Sequence, residues 1–136
     1  MRKKSPTRVT LPEDTKMTSD FKQLKVWQKA MSFAELIYKS TGRFPTSERF
    51  GMTSQIRRAV VSISANIAEG CGKSTKKDFI RFLHIAYGSV KEVENYLILA
   101  SRLNYLNSNQ VEEATTRCHE VSKMLFSLIR VLKSGQ

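Results

Sequence analysis

Four segments of the chain repeat apolar side chains at intervals of three and four residues, the spacing that places them on one face of an α-helix. The first segment begins at Phe21 and should end at Thr41–Gly42, because glycine commonly ends a helix. Phe44–Pro45 then predicts a connector, since the residue before proline avoids helical backbone angles. The apolar stripe predicted for this first helix consists of Leu24, Trp27, Met31, Ala34 and Tyr38.

The second segment should begin near Ser47, with Thr46 or Ser47 as the N-cap and Glu48 in the positive first turn. It should end at Gly70–Cys71–Gly72. The β-branched run at 59–63 is also typical of a strand, but the length and the 3.6-residue period of the segment favour a helix. Its predicted stripe consists of Met52, Ile56, Val60, Ile63 and Ile67, with Ala59 beside it.

The third segment should begin near Thr75, with Asp78 completing a capping box. Gly88 lies in mid-helix, where it costs about 1 kcal/mol relative to alanine, so we expect a close helix crossing there. A second strip, formed by Phe82, Tyr96, Leu99 and Leu103, widens the apolar face and predicts contact with more than one partner. The main stripe consists of Phe79, Leu83, Ala86, Val90, Val93, Leu97 and Ala100.

The fourth segment should follow an N-cap at Asn107 or Ser108 and fray at Ser134–Gly135. Its stripe consists of Val111, Ala114, Cys118, Val121, Leu125, Leu128 and Leu132. No segment is typical of a sheet. The expected fold is therefore all-α, an up-down-up-down antiparallel four-helix bundle over residues 21–134. Residues 1–20 read as a disordered basic tail, and Met17 is an alternative translation start.

The charge of the chain is strongly positive. It contains 23 Lys and Arg against 12 Asp and Glu, a formal net charge of +11, with a pI of about 10.0. Such a surface attracts RNA, DNA, an acidic protein face or an anionic membrane, although charge also serves solubility alone. No apolar run is long enough for a transmembrane helix, and none follows the basic N-terminus as in a signal peptide.

The two cysteines, Cys71 and Cys118, form no CxxC pair and have no histidine at a zinc spacing. Cys118 lies on an apolar stripe, which favours a core thiol, and this usage of cysteine suits a reducing cytoplasm. We therefore expect a cytoplasmic protein with no metal and no cofactor.

Basic residues form three candidate contacts for a polyanion. Lys73, Lys77 and Arg81 recur at four-residue intervals and should line one helix face. For each of these residues, the alternative to polyanion binding is a solvated helix face. A second alternative for Arg57 or Arg58 is an ion pair with Glu69, Glu92 or Glu94 inside an assembly. The predicted nucleic-acid-binding residues are Arg57, Arg58, Lys73, Lys76, Lys77 and Arg81, with Lys22, Lys25 and Lys29 on the first helix.

The sequence contains no strong candidate for a catalytic site. Gly72–Lys73–Ser74 resembles the end of a phosphate loop, but the first glycine of that motif is replaced by Ile67 and a helix precedes it. Asn66 and Glu69 lie close to the apolar stripe of the second predicted helix. Their position favours a buried hydrogen-bonded pair that fixes the helix register or a subunit contact. The alternative is that Glu69 is a catalytic carboxylate. His84 is isolated, and the aromatics Phe79, Phe82, Tyr87 and Tyr96 favour core or interface over base stacking. These features predict a protein without enzymatic activity.

The chain resembles the four-helix-bundle family of 23S rRNA intervening-sequence proteins, also labelled S23 ribosomal proteins, from Phe21 to Leu132. The most specific motifs are Gln55-Ile56-Arg57-Arg58-Ala59 and Asn66-Ile67-Ala68-Glu69-Gly70, followed by the segment from Phe79 to Ser89. The resemblance implies a homopentameric ring. Bundles related to this family serve as accessory variability proteins of diversity-generating retroelements, which bind nucleic acid and a reverse transcriptase through a basic pentamer surface, and this chain looks closer to the intervening-sequence branch.

The sequence thus predicts a non-enzymatic homo-oligomer that binds RNA or DNA by backbone charge, as an accessory to a reverse transcriptase or a ribonucleoprotein. The alternative is a protein-interaction scaffold that docks an acidic protein and has no role with nucleic acid. Neither hypothesis includes a membrane or a small-molecule substrate.

Overall fold

The described part of the chain consists of four long α-helices joined by short loops. A computed structural model describes residues 20–135. Short 3-10 turns at Phe21–Gln23 and Thr46–Glu48 precede the first and second helices, and no β-strand occurs within the described range. The all-helical prediction is confirmed. The helices are α1 (Lys25–Thr41), α2 (Met52–Cys71), α3 (Lys76–Arg102) and α4 (Ser108–Ser134).

The predicted tail, residues 1–20, and the alternative start at Met17 lie outside the described residues, with the exception of Asp20. The Asp20 carboxylate accepts a hydrogen bond from the Lys22 amide N–H at 3.1 Å and caps the first 3-10 turn. None of the described helices is both long and apolar enough to cross a membrane.

The N-caps predicted at Thr75 and Asn107 form, but the capping box predicted for Thr75 and Asp78 is incomplete, because in the described chain the Asp78 side chain does not bond back to the Thr75 amide. Thr75 Oγ1 accepts from the Asp78 amide N–H at 3.1 Å, and Asn107 forms a reciprocal capping box with Gln110, at 2.8 and 2.9 Å. The predicted start of α2 near Ser47 is wrong, because residues 46–48 form a 3-10 turn and the helix begins at Met52. Glu48 acts from four positions upstream of the helix, where its Oε1 accepts from the Met52 amide N–H at 2.9 Å.

Glu48 also ties two loops together. Its Oε2 accepts a hydrogen bond from the Tyr105 hydroxyl at 2.8 Å, and the Tyr105 ring lies 5.3 Å from the Phe44 ring. The hydrogen bond from Met52 and then that from Tyr105 hold the pKa of the Glu48 carboxyl below its ordinary value. The loop before α2 is therefore fastened to the loop before α4 by an ionised carboxylate.

This lowered pKa gives stability a defined dependence on pH. A depressed folded-state pKa stabilises the fold above the unfolded value, about pH 4.3, and that contribution is lost as pH falls through the folded value. We expect Glu48→Gln to be less stable than the wild type at pH 7, with a gap that narrows towards pH 3. Urea unfolding across this range measures the gap, and Glu112→Gln on the exposed side of α4 is the control. A difference in the free energy of unfolding that does not depend on pH would contradict the lowered pKa of Glu48.

The predicted stripes of α2 and α3 are buried throughout, and that of α4 is buried from Ala114 onwards with Val111 half-buried. The stripe predicted for α1 is right for Leu24 and Ala34, which are buried, and wrong for Met31 and Tyr38. Met31 and Tyr38 are 38% and 44% exposed, whereas Phe33 and Ile37 are fully buried. Two apolar stripes run side by side on α1, one residue or about 100° apart, and periodicity alone does not choose between them. The inward stripe consists of Val26, Ala30, Phe33 and Ile37.

The helices α2 and α3 approach closely at Gly70, on the last turn of α2. A Cβ atom at Gly70 would lie 2.7 Å from the Phe82 Cβ and 3.1 Å from the Phe79 Cδ1 on α3. The close crossing predicted at Gly88 is wrong, because a Cβ there would meet no described atom within 4 Å. The aromatic side chains at the start of α3 pack over Gly70, while Gly88 faces outwards.

Each helix packs on its neighbours in sequence, and α1 also packs on α4. Side-chain contacts join the helices along their length. Ser62 Oγ on α2 lies 2.8 Å from Ser89 Oγ on α3, and His119 Nε2 on α4 lies 3.2 Å from Glu94 Oε2 on α3. Cys118 is buried between α3 and α4, and burial raises the pKa of its thiol to about 12. Cys118 is therefore a protonated core thiol at neutral pH.

Candidate nucleic-acid interface

The structure divides the predicted basic residues between two ends of the molecule. Arg57 and Arg58 lie near the start of α2, whereas the lysines around 73–77 follow its end. The fourteen residue steps of helix from Arg57 to Cys71 correspond to about 21 Å. We call the first region the arginine groove, which includes Arg49, and the second the lysine end, formed by Lys73, Lys76, Lys77 and Arg81.

Phe82 organises the lysine end. The Lys73 Nζ lies 5.1 Å and the Arg81 guanidinium carbon 4.6 Å from the centroid of the Phe82 ring, so cation–π contacts bring these two residues together. Lys77 has no acidic partner within 4 Å among residues 20–135, and Arg81 lies 3.9 Å from Asp78. Lys76 donates to the Gly135 carbonyl at 3.3 Å, near the end of α4. Three of the four cations are therefore exposed, and Arg81 is the one that lies within 4 Å of a carboxylate in the described chain.

The strip on α1 is partly neutralised. Lys22 lies 3.2 Å from Asp20, and Lys29 lies 3.1 Å from Glu120 on α4. Lys25 has no acidic partner within 4 Å in the described chain. The 3-10 turn that carries Lys22 contacts α2, which adds this lysine to the margin of the lysine end.

Arg57 is engaged by the last turn of α1. Its Nε donates to Thr41 Oγ1 at 2.9 Å, its Nη2 donates to the Tyr38 carbonyl at 3.1 Å, and its guanidinium stacks 4.6 Å from the Tyr38 ring. Arg57 therefore acts first as a cap that satisfies a carbonyl at the end of α1. Arg58 is exposed, and pairing of either arginine with a glutamate of another subunit stays a prediction.

The arginine groove contains two residues that the sequence analysis missed, Arg49 and Phe50. The groove has a volume of about 630 Å³ and lies between α1 and the start of α2. Phe50 is 85% exposed, and the Arg49 guanidinium lies 5.2 Å from its ring. The available signal was a phenylalanine in a connecting loop that matches no helical stripe. The groove is lined by Tyr38, Arg49, Phe50, Thr53, Ser54, Arg57, Arg58, Val61 and Ser62.

Asn66 joins α2 to α3 through a serine pair. Its Nδ2 donates to the Ser62 carbonyl at 2.8 Å and to Ser62 Oγ at 3.0 Å, and Ser62 Oγ contacts Ser89 Oγ. Glu69 is exposed and does not bond to Asn66 in the described chain, because the Asn66 amide turns back along its own helix. A role for Glu69 at a subunit contact stays a prediction. Within residues 20–135, no group of three His, Cys, Asp or Glu residues is placed to hold a metal.

The chain is similar to a crystal structure, at 1.70 Å resolution, of a protein of unknown function from the S23 ribosomal protein family of Bacteroides thetaiotaomicron VPI-5482. The two share 34% sequence identity with a TM-score of 0.70, over 76% of this chain and 97% of that one. No curated protein matches the chain. The sequence profile described as 23S rRNA-intervening sequence protein matches residues 22–127. The chain therefore belongs to the 23S rRNA-intervening sequence protein family.

Proposed function

We propose that this protein is a non-enzymatic, cytoplasmic accessory protein that binds RNA or DNA through the phosphate backbone at the lysine end. The observation that carries the proposal is the exposure of Lys73, Lys77 and Arg81 on one end of a chain with a net charge of +11. Asp78 is the one carboxylate paired within this cluster in the described chain. The family name, which refers to an intervening sequence of 23S rRNA, supports a nucleic-acid partner.

Backbone binding has a recognisable physical signature. Phosphates carry no base identity, so affinity should vary little with sequence. Each neutralised phosphate releases counterions, so affinity should fall steeply as the salt concentration rises. Lys73, Lys77 and Arg81 are exposed cations, the kind of side chain that contacts phosphates.

We further propose that the chain is an up-down-up-down bundle that assembles into a homopentameric ring. Antiparallel order is supported by contacts in which the start of α3 meets the end of α4, from Lys76 to Gly135, and the end of α2 meets the start of α3. A subunit contact is supported by apolar side chains on the outer side of α3, of which Ile85, Leu99 and Leu103 are 40–45% exposed. A solution mass of one 15.5 kDa chain would contradict the ring.

The experiment replaces Lys73, Lys76, Lys77 and Arg81 together by glutamine. We expect the affinity for a nucleic acid at 50 mM salt to fall on the order of 100-fold, and the slope of log affinity against log salt to decrease by about 3 to 4. Fluorescence anisotropy titrations at several salt concentrations measure both quantities. The matched control replaces four exposed cations elsewhere by glutamine, namely Lys39, Arg102, Lys123 and Arg130.

Two outcomes would contradict the proposal. Equal losses in the two quadruple variants would show that general charge, and not the lysine end, governs binding. Failure of the wild type to retain nucleic acid at low salt would leave the scaffold hypothesis, in which the same cations dock an acidic protein. The protein partner that we propose is a reverse transcriptase or a ribonucleoprotein component, because bundles related to the family that this chain resembles are accessory proteins of retroelements.

A further inference from the structure

We propose that the arginine groove binds an unpaired base of a single-stranded nucleic acid, with Phe50 as the stacking platform. The inference rests on the proposed function, since it specifies the form of nucleic acid, but it concerns a different surface. The arginine groove lies at the opposite end of α2 from the lysine end, about 21 Å away along the helix. The two surfaces are therefore separable by substitution.

The two aromatic side chains of the groove, Phe50 and Tyr38, are exposed to solvent. Phe50 is 85% exposed, an unusual state for a phenylalanine, and its position next to Gly51 at the start of α2 keeps it outside the core. Tyr38 on α1 is 44% exposed and lines the same groove. Exposed aromatic rings beside cations are the usual platform for stacking of unpaired bases.

The charge of the groove fits a phosphate on either side of a stacked base. Its lining includes three arginines and no acidic residue. Arg57 is held by Thr41 and Tyr38, whereas Arg49 and Arg58 have no acidic partner within 4 Å in the described range. Arg49 already lies against the Phe50 ring, where its planar guanidinium is able to contact both a base and a phosphate. Hydroxyls of Thr53 and Ser54 add hydrogen-bonding groups to the floor.

The geometry favours a single strand over a duplex or an apolar peptide. A duplex hides the faces of its bases in the stack, so Phe50 would meet only its backbone. An apolar peptide would need a continuous apolar floor, but apart from Phe50 and Tyr38 the only large apolar side chain of the lining is Val61. The volume of about 630 Å³ falls in the range of small-ligand clefts, which accommodates a base with its sugar and phosphate.

The test compares three labelled probes of equal phosphate number against the full-length protein: a 12-nucleotide thymidylate strand, the same strand without its bases, and a hairpin duplex. Phe50→Leu keeps the apolar bulk and removes the ring, whereas Phe50→Trp restores a stacking surface. We expect Phe50→Leu to weaken binding of the thymidylate strand by roughly 5- to 100-fold, with little effect on the other two probes. Phe50→Trp should bind the strand at least as tightly as the wild type.

Phe126→Leu is the matched control. Phe126 is a second exposed phenylalanine, at 51%, with an arginine 6.0 Å over its ring, and it lies on α4 outside the groove. We expect this variant to bind all three probes as the wild type does. An equal loss in both variants would overturn the assignment to the groove.

The remaining outcomes separate this inference from the proposed function. If the wild type binds the three probes equally and Phe50→Leu changes none of them, the inference fails while backbone binding at the lysine end stands. If no probe binds at low salt, both fail. If Phe50→Leu retains affinity for the thymidylate strand but Phe50→Ala loses it, the platform is an apolar contact without stacking, which overturns the role assigned to the ring.

Discussion

Replacing Gly70 by alanine is expected to lower the free energy of unfolding by about 3 kcal/mol. The new methyl group would lie 2.7 Å from the Phe82 Cβ, a distance that no change of side-chain rotamer relieves, because Cβ is fixed by the backbone of α3. The helices α2 and α3 must therefore separate and lose packing between them. Urea denaturation followed by circular dichroism measures the loss.

Gly88→Ala is the matched control, because it makes the same substitution in a helix. No described atom lies within 4 Å of the new Cβ, and alanine has the higher helix propensity. We expect this variant to be as stable as the wild type or more stable, by up to about 1 kcal/mol. Similar losses of unfolding free energy in Gly70→Ala and Gly88→Ala would contradict the close helix crossing at Gly70.

Phe33→Ala is expected to cost about 4 kcal/mol, the usual range for removal of a fully buried phenylalanine. Phe33 has no exposed surface and lies on the inward stripe of α1. The substitution removes its contacts and leaves a cavity that the surrounding helices fill only in part. The free energy of unfolding from urea denaturation tests the expectation.

Met31→Ala tests the opposite side of the same helix. Met31 belongs to the stripe predicted from the sequence, yet it is 38% exposed, so we expect a loss below about 1 kcal/mol. A larger loss at Met31 than at Phe33 would mean that α1 is rotated by one residue relative to the structure. The pair therefore measures the rotation of α1 directly.

How far the fold followed from the sequence depends on how many faces of each helix are apolar. On α2 one stripe is apolar and the opposite side contains serine, asparagine and arginine, so the buried face was unambiguous. On α1, Trp27 and Met31 compete with Ala30 and Phe33, and both sets satisfy the same period. The contacts that α1 makes with α2 and α4 decide the rotation, and they are not visible in a single segment.

The glycines show a similar limit. Position within a helix alone predicts that Gly70 belongs to a helix stop and that Gly88 lies at a crossing. Whether a glycine is needed depends on the side chain opposite, here Phe82, which the chain brings near only after α2 and α3 turn back on each other.

For the candidate site, composition predicted the positive charge and spacing predicted that Lys73, Lys77 and Arg81 share one region. Neither the separation of these residues from Arg57 and Arg58 along α2 nor the hydrogen bond between Arg57 and Thr41 was predicted from the sequence. Phe50 was missed because periodicity describes buried faces, and a side chain that is 85% exposed belongs to none.

The crossing at Gly70 also has a kinetic consequence. Gly70 and Phe82 are only twelve positions apart in the chain, so their contact closes a short loop with a small loss of chain entropy. The hairpin of α2 and α3 is therefore able to form early, before distant segments meet. The contact between α1 and α4 joins segments on either side of that hairpin and closes the largest loop. We therefore expect docking of α1 on α4 to be the slowest step of refolding.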